Sequence, residues 1–599
     1  MAKEVITRDQ QEEKYTWNVK DLYEDKTGYD KDVEFVKEKV EETTKYEGRV
    51  CESADTLYEV LELYRIIGEK VNRVFEYAGR VFDVDQGNPE GRSMYMQIIG
   101  LSSEISSKTA FVDPEIIACD DEKIEAFFKE KPELELYRIM IKETRRLKPH
   151  TLSVEVEKAV ALASEIAFVP KDVYSTFMNV DSTYPAVKDE NGEETVITDG
   201  RFVRLLESAN RQVREDTFKA YYSQIRHYIN TLASTFSGEV KTHIFNARLR
   251  GYKTTLEAAV DHNNVSPEVY KNLIDTVDKN LNVLHRYVSL RKKCLKVDEL
   301  HMYDVYTSII PDTARKVPYE EAKETVVKAL AVLGDDYVSV VKEAFANRWI
   351  DVYENKGKRG GAYSAGVYGC HPYMLLNYGD SLDDMFTLIH EMGHSMHTYY
   401  TCKNQPSIYS DYKIFVAEVA STTNELLLLD YLLKNTEDKK ERAYLLNHFV
   451  DSFKQTVYRQ TMFAEFEMRS NAMAEAGEDL SAEKLCALYK EINEKYYGPD
   501  MISDDEIAYE WARIPHFYMN FYVYQYATSF CAAVDISERI LKEGAPMVEQ
   551  YKKFLSSGCT DAPVELLKIA GVDLSTPAPI EAALKKCGAL LDELETLTD

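Results

Sequence analysis

Through most of this chain, apolar residues fall three and four positions apart with charged residues between them, and that rhythm commits it to helices. The segment LYEVLELYRIIGEKVNRVFEYAGRVF, following cap signals at Ser53 and Asp55, is one long example, and the pattern holds from about Tyr15 to Phe177. Breakers are scarce, with 25 Gly and 17 Pro in 599 residues, so long helices with short connections, a mainly α fold, are expected. The rhythm lapses twice. At YPAVKDENGEETVIT, residues 184–198, alternating apolar residues flank Asn191-Gly192, which predicts a hairpin. At GKRGGAYSAGVYGCHPYMLLNYGD, residues 357–380, a Gly- and Tyr-rich island with short extended runs such as Tyr373 to Asn377 predicts a small strand or loop element just before the next helix. The first lapse places the main boundary near residue 200, with an N-terminal helical domain over 1–200 and a second domain over 201–599.

Charge and cysteine content narrow the functional classes. Lys and Arg total 73 against 102 Asp and Glu, a formal charge of −29. Such a surface repels phosphate backbones, so nucleic acid is not an expected partner, and solubility is the simplest meaning of the acidity. Nine cysteines are scattered singly, with no CxxC pair, as in a reduced, cytoplasmic protein. MAKEVITRDQQEEKY contains no apolar stretch of a secretory signal, and no run of about 18 apolar residues suggests a membrane partner.

The chemistry concentrates after the second lapse. Ser381 followed by Asp384 is a capping-box signature ahead of Leu382, Met385, Phe386 and Ile389, so a helix is expected to begin at about Leu382. The segment HEMGH, His390 to His394, then lies two turns inside it. Two histidines four apart share one helical face and can meet a single Zn²⁺ at about 2.0–2.1 Å, with Glu391 beside them to take a proton from the attacking water. A catalytic zinc needs a third protein ligand. His397 is on the same face, but seven residues advance about 10.5 Å along the axis, out of reach of one ion. The longer histidine motif of the metzincins also fails, because His397 and Tyr400 stand where Gly and His are required. The next helical segment, DYKIFVAEVASTTNELLLLDYLLK with Asp411 as a plausible cap, carries Glu418 among Phe415, Val419 and Leu426. A carboxylate so placed is costly unless paired or metal-bound, which makes Glu418 the third ligand. Glu425, two turns on, is either an acceptor for a ligand imidazole N–H or an ordinary exposed acid.

Residues 514–531, IPHFYMNFYVYQYATSFC, are dense in aromatics. Tyr518, Tyr522 and Tyr526 recur every four residues, so a helix there would carry three phenols on one face. Such a stripe is either core packing or, with His516, a set of donors for the oxyanion of peptide hydrolysis. The island GGAYSAG lacks the GKS/T ending of a phosphate-binding loop and is either a surface loop or an extended edge suited to pairing with a peptide backbone.

Taken together, HEMGHSMH, FVAEVASTTNE, VYRQTMFAEFE and IPHFYMNFYVYQYATSF resemble the oligoendopeptidase F group of the M3 metallopeptidases, relatives of thimet oligopeptidase. KYTWNVKDLY, TDGRFVRLLES and RGYKTTLEAA extend the resemblance over nearly the whole chain. The resemblance implies a two-lobed, all-helical metallopeptidase with a deep channel for short peptides and 201–599 as its catalytic domain. It carries zinc ligation to His390, His394 and Glu418, for one catalytic ion, and the general base to Glu391. The oxyanion tyrosine matches best at Tyr526, with His516 nearby and Tyr522 as a further candidate; the histidine-to-tyrosine spacing differs from the thimet branch. The function expected is a zinc endopeptidase acting on oligopeptides, against two alternatives, a zinc exopeptidase and a peptide-binding protein with a vestigial metal site.

Overall fold

In the computed structural model, which describes residues 5–310 and 315–598, helices form where the apolar rhythm is regular and strands stay short. The chain gathers into two compact units, each assembled from three segments. Met1–Thr151, Ala314–Leu432 and Ile536–Gly571 form the first, and Leu152–Thr313, Leu433–Asp535 and Val572–Asp599 form the second. This partition differs from the expected division at residue 200, because the first helices bury their apolar faces against strands that come much later in the chain.

In the first unit, α1 (Lys26–Thr43) starts on the Asp25 carboxylate, which accepts from the Thr27 and Gly28 amides, and α2 (Ala54–Asp83) starts on the Ser53 hydroxyl, which accepts from Thr56. Val33, Val36 and Val40 of α1 share a core with Trp17, with Ile67 and Val74 of α2, and with Val367, Tyr373 and Leu375. Each such buried aliphatic side chain contributes roughly 1.5–3 kcal/mol, so this core fixes the N-terminal helices to the later strands.

The predicted hairpin belongs to the second unit. There β1 (Ala186–Lys188) pairs antiparallel with β2 (Glu194–Val196), and Gly192 turns the chain at φ 80°. Back in the first unit, the second island supplies two strands of a three-stranded sheet. β3 (Ile350–Asp351) runs parallel to the central β5 (Tyr373–Leu375), and β4 (Tyr363–Ala365) runs antiparallel to β5 with Ser364 opposite Met374. β4 is therefore an edge strand. The fully buried Asp351 binds Arg8 Nη2 at 2.5 Å and Lys358 Nζ at 2.8 Å, two cations that satisfy its charge and hold the sheet to the N-terminal segment.

Four later helices matter for function: α3 (Leu382–Asn404), α4 (Ile414–Asn435), α5 (Arg459–Glu475) and α6 (Tyr524–Glu543). In the second unit, buried Glu510 accepts from Arg459 Nη2 at 2.7 Å, Arg513 Nη2 at 3.2 Å and the Tyr489 hydroxyl at 2.6 Å. Burial works to raise the Glu510 pKa, but the two guanidiniums prevail and hold it down at about 2. Among the described residues no helix is long and apolar enough to cross a membrane, and all nine cysteines are free thiols.

Candidate metal centre

The helix carrying HEMGH begins where its cap signal predicts. The Ser381 hydroxyl accepts from the Asp384 amide while the Asp384 carboxylate accepts from the Ser381 amide, a complete capping box, and α3 starts at Leu382. The partner helix α4 starts at Ile414, two residues later than an Asp411 cap predicts, and the Asp411 carboxylate accepts instead from the adjacent Tyr412 amide.

The two helices cross at Gly393. A Cβ there would stand 2.5 Å from Ser421 Cα and 2.6 Å from the Ala420 carbonyl oxygen, so only glycine admits this approach of backbones. The buried Asn424 amide donates to the Ile389 carbonyl at 3.3 Å and accepts from the Tyr337 hydroxyl at 3.2 Å, fixing the register of the crossing. Sequence reasoning missed both residues. A glycine in the middle of a helix costs about 1 kcal/mol relative to alanine, and that cost was the available sign that Gly393 serves a close packing.

At the crossing, His390 Nε2, His394 Nε2 and Glu418 Oε2 form a triangle with edges of 3.2, 3.3 and 3.4 Å. They are the three-residue set among the described residues arranged as metal ligands. Ligands of a tetrahedral ion with bonds of about 2.0–2.1 Å stand about 3.3–3.4 Å apart, so the donor spacing fits such an ion. The donor chemistry fits as well. His390 turns its Nδ1 to Glu425 Oε1 at 2.9 Å, which leaves its Nε2 lone pair facing the other two donors. Glu418 Oε2 is also held by the Ser421 hydroxyl at 3.0 Å.

The field at this point favours positive charge. Burial opposes a charged His390, yet Glu425 and Glu418 overcome it and push the imidazole pKa well above its usual value. Burial likewise opposes ionisation of Glu418, and His390 and His394 reverse that, holding it far below the carboxylate range. Glu391, only 7% exposed, is different: burial raises its pKa, and the two histidines only partly offset that. A carboxylate held above its ordinary range is a better proton acceptor. His397 lies apart from the triangle, buried face to face on Tyr412 with ring centroids 3.7 Å apart, and burial lowers its pKa to about 3. It is a packed neutral imidazole, as its reach along the helix requires.

The second constellation lies in the other unit. The four-residue tyrosine spacing does not form one helical face, because α6 begins only at Tyr524 and Tyr518 sits in a short 3₁₀ turn, Pro515–Tyr518. Tyr518 turns into the core, stacked on Tyr174 at 4.1 Å and hydrogen-bonded to Thr235 at 2.9 Å. Tyr522, Tyr526 and His516 do come together: the imidazole centroid is 6.2 Å from the Tyr522 ring and 6.0 Å from the Tyr526 ring, and the two phenols are 5.4 Å apart. All three are partly exposed. Burial lowers the His516 pKa, so it is a neutral imidazole at pH 7.

A mainly helical chain that sets two histidines one turn apart against a glutamate of the next helix, with a buried glutamate beside them, has the make-up of a metallopeptidase. Comparison with known proteins makes the class specific. A family model described as Peptidase family M3 matches residues 204–586, and one described as Oligopeptidase F matches residues 115–184. Oligopeptidase PepF of Bacillus subtilis is 47% identical over 582 residues, covering 97% of this chain and 87% of that protein. Group B oligopeptidase PepB of Streptococcus agalactiae is 39% identical over 586 residues, covering 98% and 97%. The crystal structure of oligoendopeptidase-F from Enterococcus faecium superposes with a TM-score of 0.75 at 36% identity, covering 96% of this chain and 99% of that one. The chain belongs to peptidase family M3, in its oligoendopeptidase F group, and is a metalloendopeptidase of that family.

Proposed function

We propose that this protein hydrolyses internal bonds of short oligopeptides, with one Zn²⁺ held by His390, His394 and Glu418 and with Glu391 as general base. The observation that carries the proposal is the triangle of three donors at tetrahedral spacing with Glu391 on the same helix. The printed names of the relatives, oligopeptidases and oligoendopeptidases, support the substrate class. A zinc ion bound there would supply Lewis acidity, acidifying water and polarising a carbonyl.

The remaining steps belong to side chains. Glu391, its pKa raised by burial, takes the proton of the attacking water and returns it to the departing amine. Glu425 fixes the His390 ring through Nδ1. Tyr526, with His516 and Tyr522 around it, donates a hydrogen bond to the developing oxyanion; the clustering of the three partly exposed rings supports this role. The free edge of β4 pairs with the substrate main chain, and the hydroxyl contact between Ser364 of β4 and Ser395, next to His394, at 2.8 Å supports that placement. Residues 201–599 would carry most of the machinery, a reading supported by the family match over 204–586. Nine free thiols support a reducing, cytoplasmic setting.

The test is cleavage of a quenched fluorescent peptide blocked at both termini, with metal content measured in parallel. Cleavage that stops with chelator and returns with Zn²⁺ is expected. An intact blocked peptide beside a cleaved unblocked one would establish an exopeptidase, and metal binding without any cleavage would establish a binding protein.

A further inference from the structure

Between His516 and Tyr526 the backbone does something unusual. Asn520 and Phe521, neither of them glycine, both lie in the left-handed region, at φ 49° and φ 59°. Asparagine tolerates that conformation, but a bulky aromatic does not adopt it unless its surroundings impose it. Two features of α5 impose it here. The Glu467 carboxyl group, buried in the middle of that helix, accepts the Phe521 amide through Oε1 at 2.6 Å. One turn earlier, the Ala464 carbonyl accepts the Tyr270 hydroxyl at 2.8 Å, and the Tyr270 ring packs edge-on against Phe521 at 5.5 Å and tilted against Tyr524 at 4.9 Å.

Glu467 is an expensive residue for that purpose. It is 1% exposed, and its other oxygen has no hydrogen-bond partner. A buried carboxyl that makes a single bond costs more than an apolar side chain of its size, so packing does not account for it. The bond it makes lies at the turn that carries the chain from His516 back to Tyr522 and Tyr526, the three rings that cluster within 5.4–6.2 Å.

We infer that Glu467 is a positioning residue for the oxyanion-binding group: by holding the Phe521 amide it locks the left-handed Asn520–Phe521 turn, and the turn sets Tyr522 and Tyr526 against His516. The inference rests on the role proposed above for Tyr526.

The test uses the metal-loaded enzyme, a blocked fluorescent peptide substrate and a phosphinic peptide that mimics the tetrahedral transition state. Glu467→Ala is expected to lower kcat about tenfold or more with KM within about twofold, and to weaken the phosphinic peptide by the same factor as kcat, since donors to the oxyanion act in the transition state. Metal content should stay at that of the parent. Glu467→Gln, which keeps an acceptor oxygen, should retain activity within about threefold. A Glu467→Ala enzyme with parental kcat, or one whose loss is matched by Glu467→Gln, overturns the inference. Asn520→Val strains the same turn from its other residue and is expected to lower kcat in the same way; it decides the matter if Glu467→Ala does not fold, and parental kcat in it overturns the inference. Tyr526→Phe, run alongside, separates the two levels. A kcat loss in Tyr526→Phe without one in Glu467→Ala removes the inference and leaves the oxyanion role standing, whereas parental kcat in Tyr526→Phe removes both.

Discussion

The candidate metal centre and the His516–Tyr526 segment are built in opposite ways. The first is made of regular elements: two helices cross at one glycine, and helical periodicity delivers His390, His394 and Glu418 to one point. The second is made of an interruption, a 3₁₀ turn followed by two left-handed residues, and its rings meet because the chain leaves the helical path. A site set by periodicity depends on how closely its helices approach, while a site set by a turn depends on whatever holds the turn.

Substitutions can break this contrast or sharpen it. The largest effects are expected at the metal centre. Glu418→Ala should lose bound metal and activity together, and Glu391→Gln should keep the metal but lose about a thousandfold or more in kcat. Stoichiometric metal with near-parental activity in Glu418→Ala would remove it as a ligand. Next comes Gly393→Ala, which replaces no ligand. Its methyl group must push α3 and α4 apart, so weaker metal affinity and a destabilisation of about 1–3 kcal/mol or more are expected, by competition with a chelator and by thermal unfolding. Parental affinity there would mean that the crossing does not set the ligand spacing.

A smaller effect is expected at the second site, where Tyr526→Phe should lower kcat about ten- to a hundredfold and leave metal content alone; a change confined to KM would exclude an oxyanion role. The smallest concerns pH and stability. Burial pushes the Glu467 pKa up to about 8, opposed only by its bond from the Phe521 amide. A folded-state pKa above the unfolded value of about 4.3 means that folding retains a proton the unfolded chain releases, so this residue costs stability progressively as pH rises from about 4.3 to about 8. Glu467→Gln should therefore gain thermal stability over the parent across that window and level off above it. A difference independent of pH would show that Glu467 folds as a carboxylate.

The same contrast explains what could be read beforehand. Ser381 and Asp384, the four-residue histidine spacing and the apolar setting of Glu418 are local or periodic signals, and each led to its place in the structure. The spacing of Glu425 fits two readings equally, and only the packing of α4 brings it to His390. The four-residue tyrosine spacing does not give a helical face because Asn520–Phe521 interrupts the helix, and phenylalanine gives no sign of a left-handed backbone. The division at residue 200 followed a genuine hairpin, but the partners of the N-terminal helices lie far along the chain, and no local pattern reveals such distant packing.

That distant packing bears on how the protein is born. Arg8 and Asp351 are 343 positions apart. The last turns of α3 find their partners later still in synthesis, since Thr401 bonds the Leu555 carbonyl and His397 packs on Phe554. At ribosomal speeds of about 5–20 residues per second, the N-terminal helices spend on the order of tens of seconds with their apolar faces uncovered. The motif helix can settle only when the chain is nearly complete. The nascent N-terminal third is therefore the part of the chain whose apolar faces stay open longest, and aggregation during synthesis would start there.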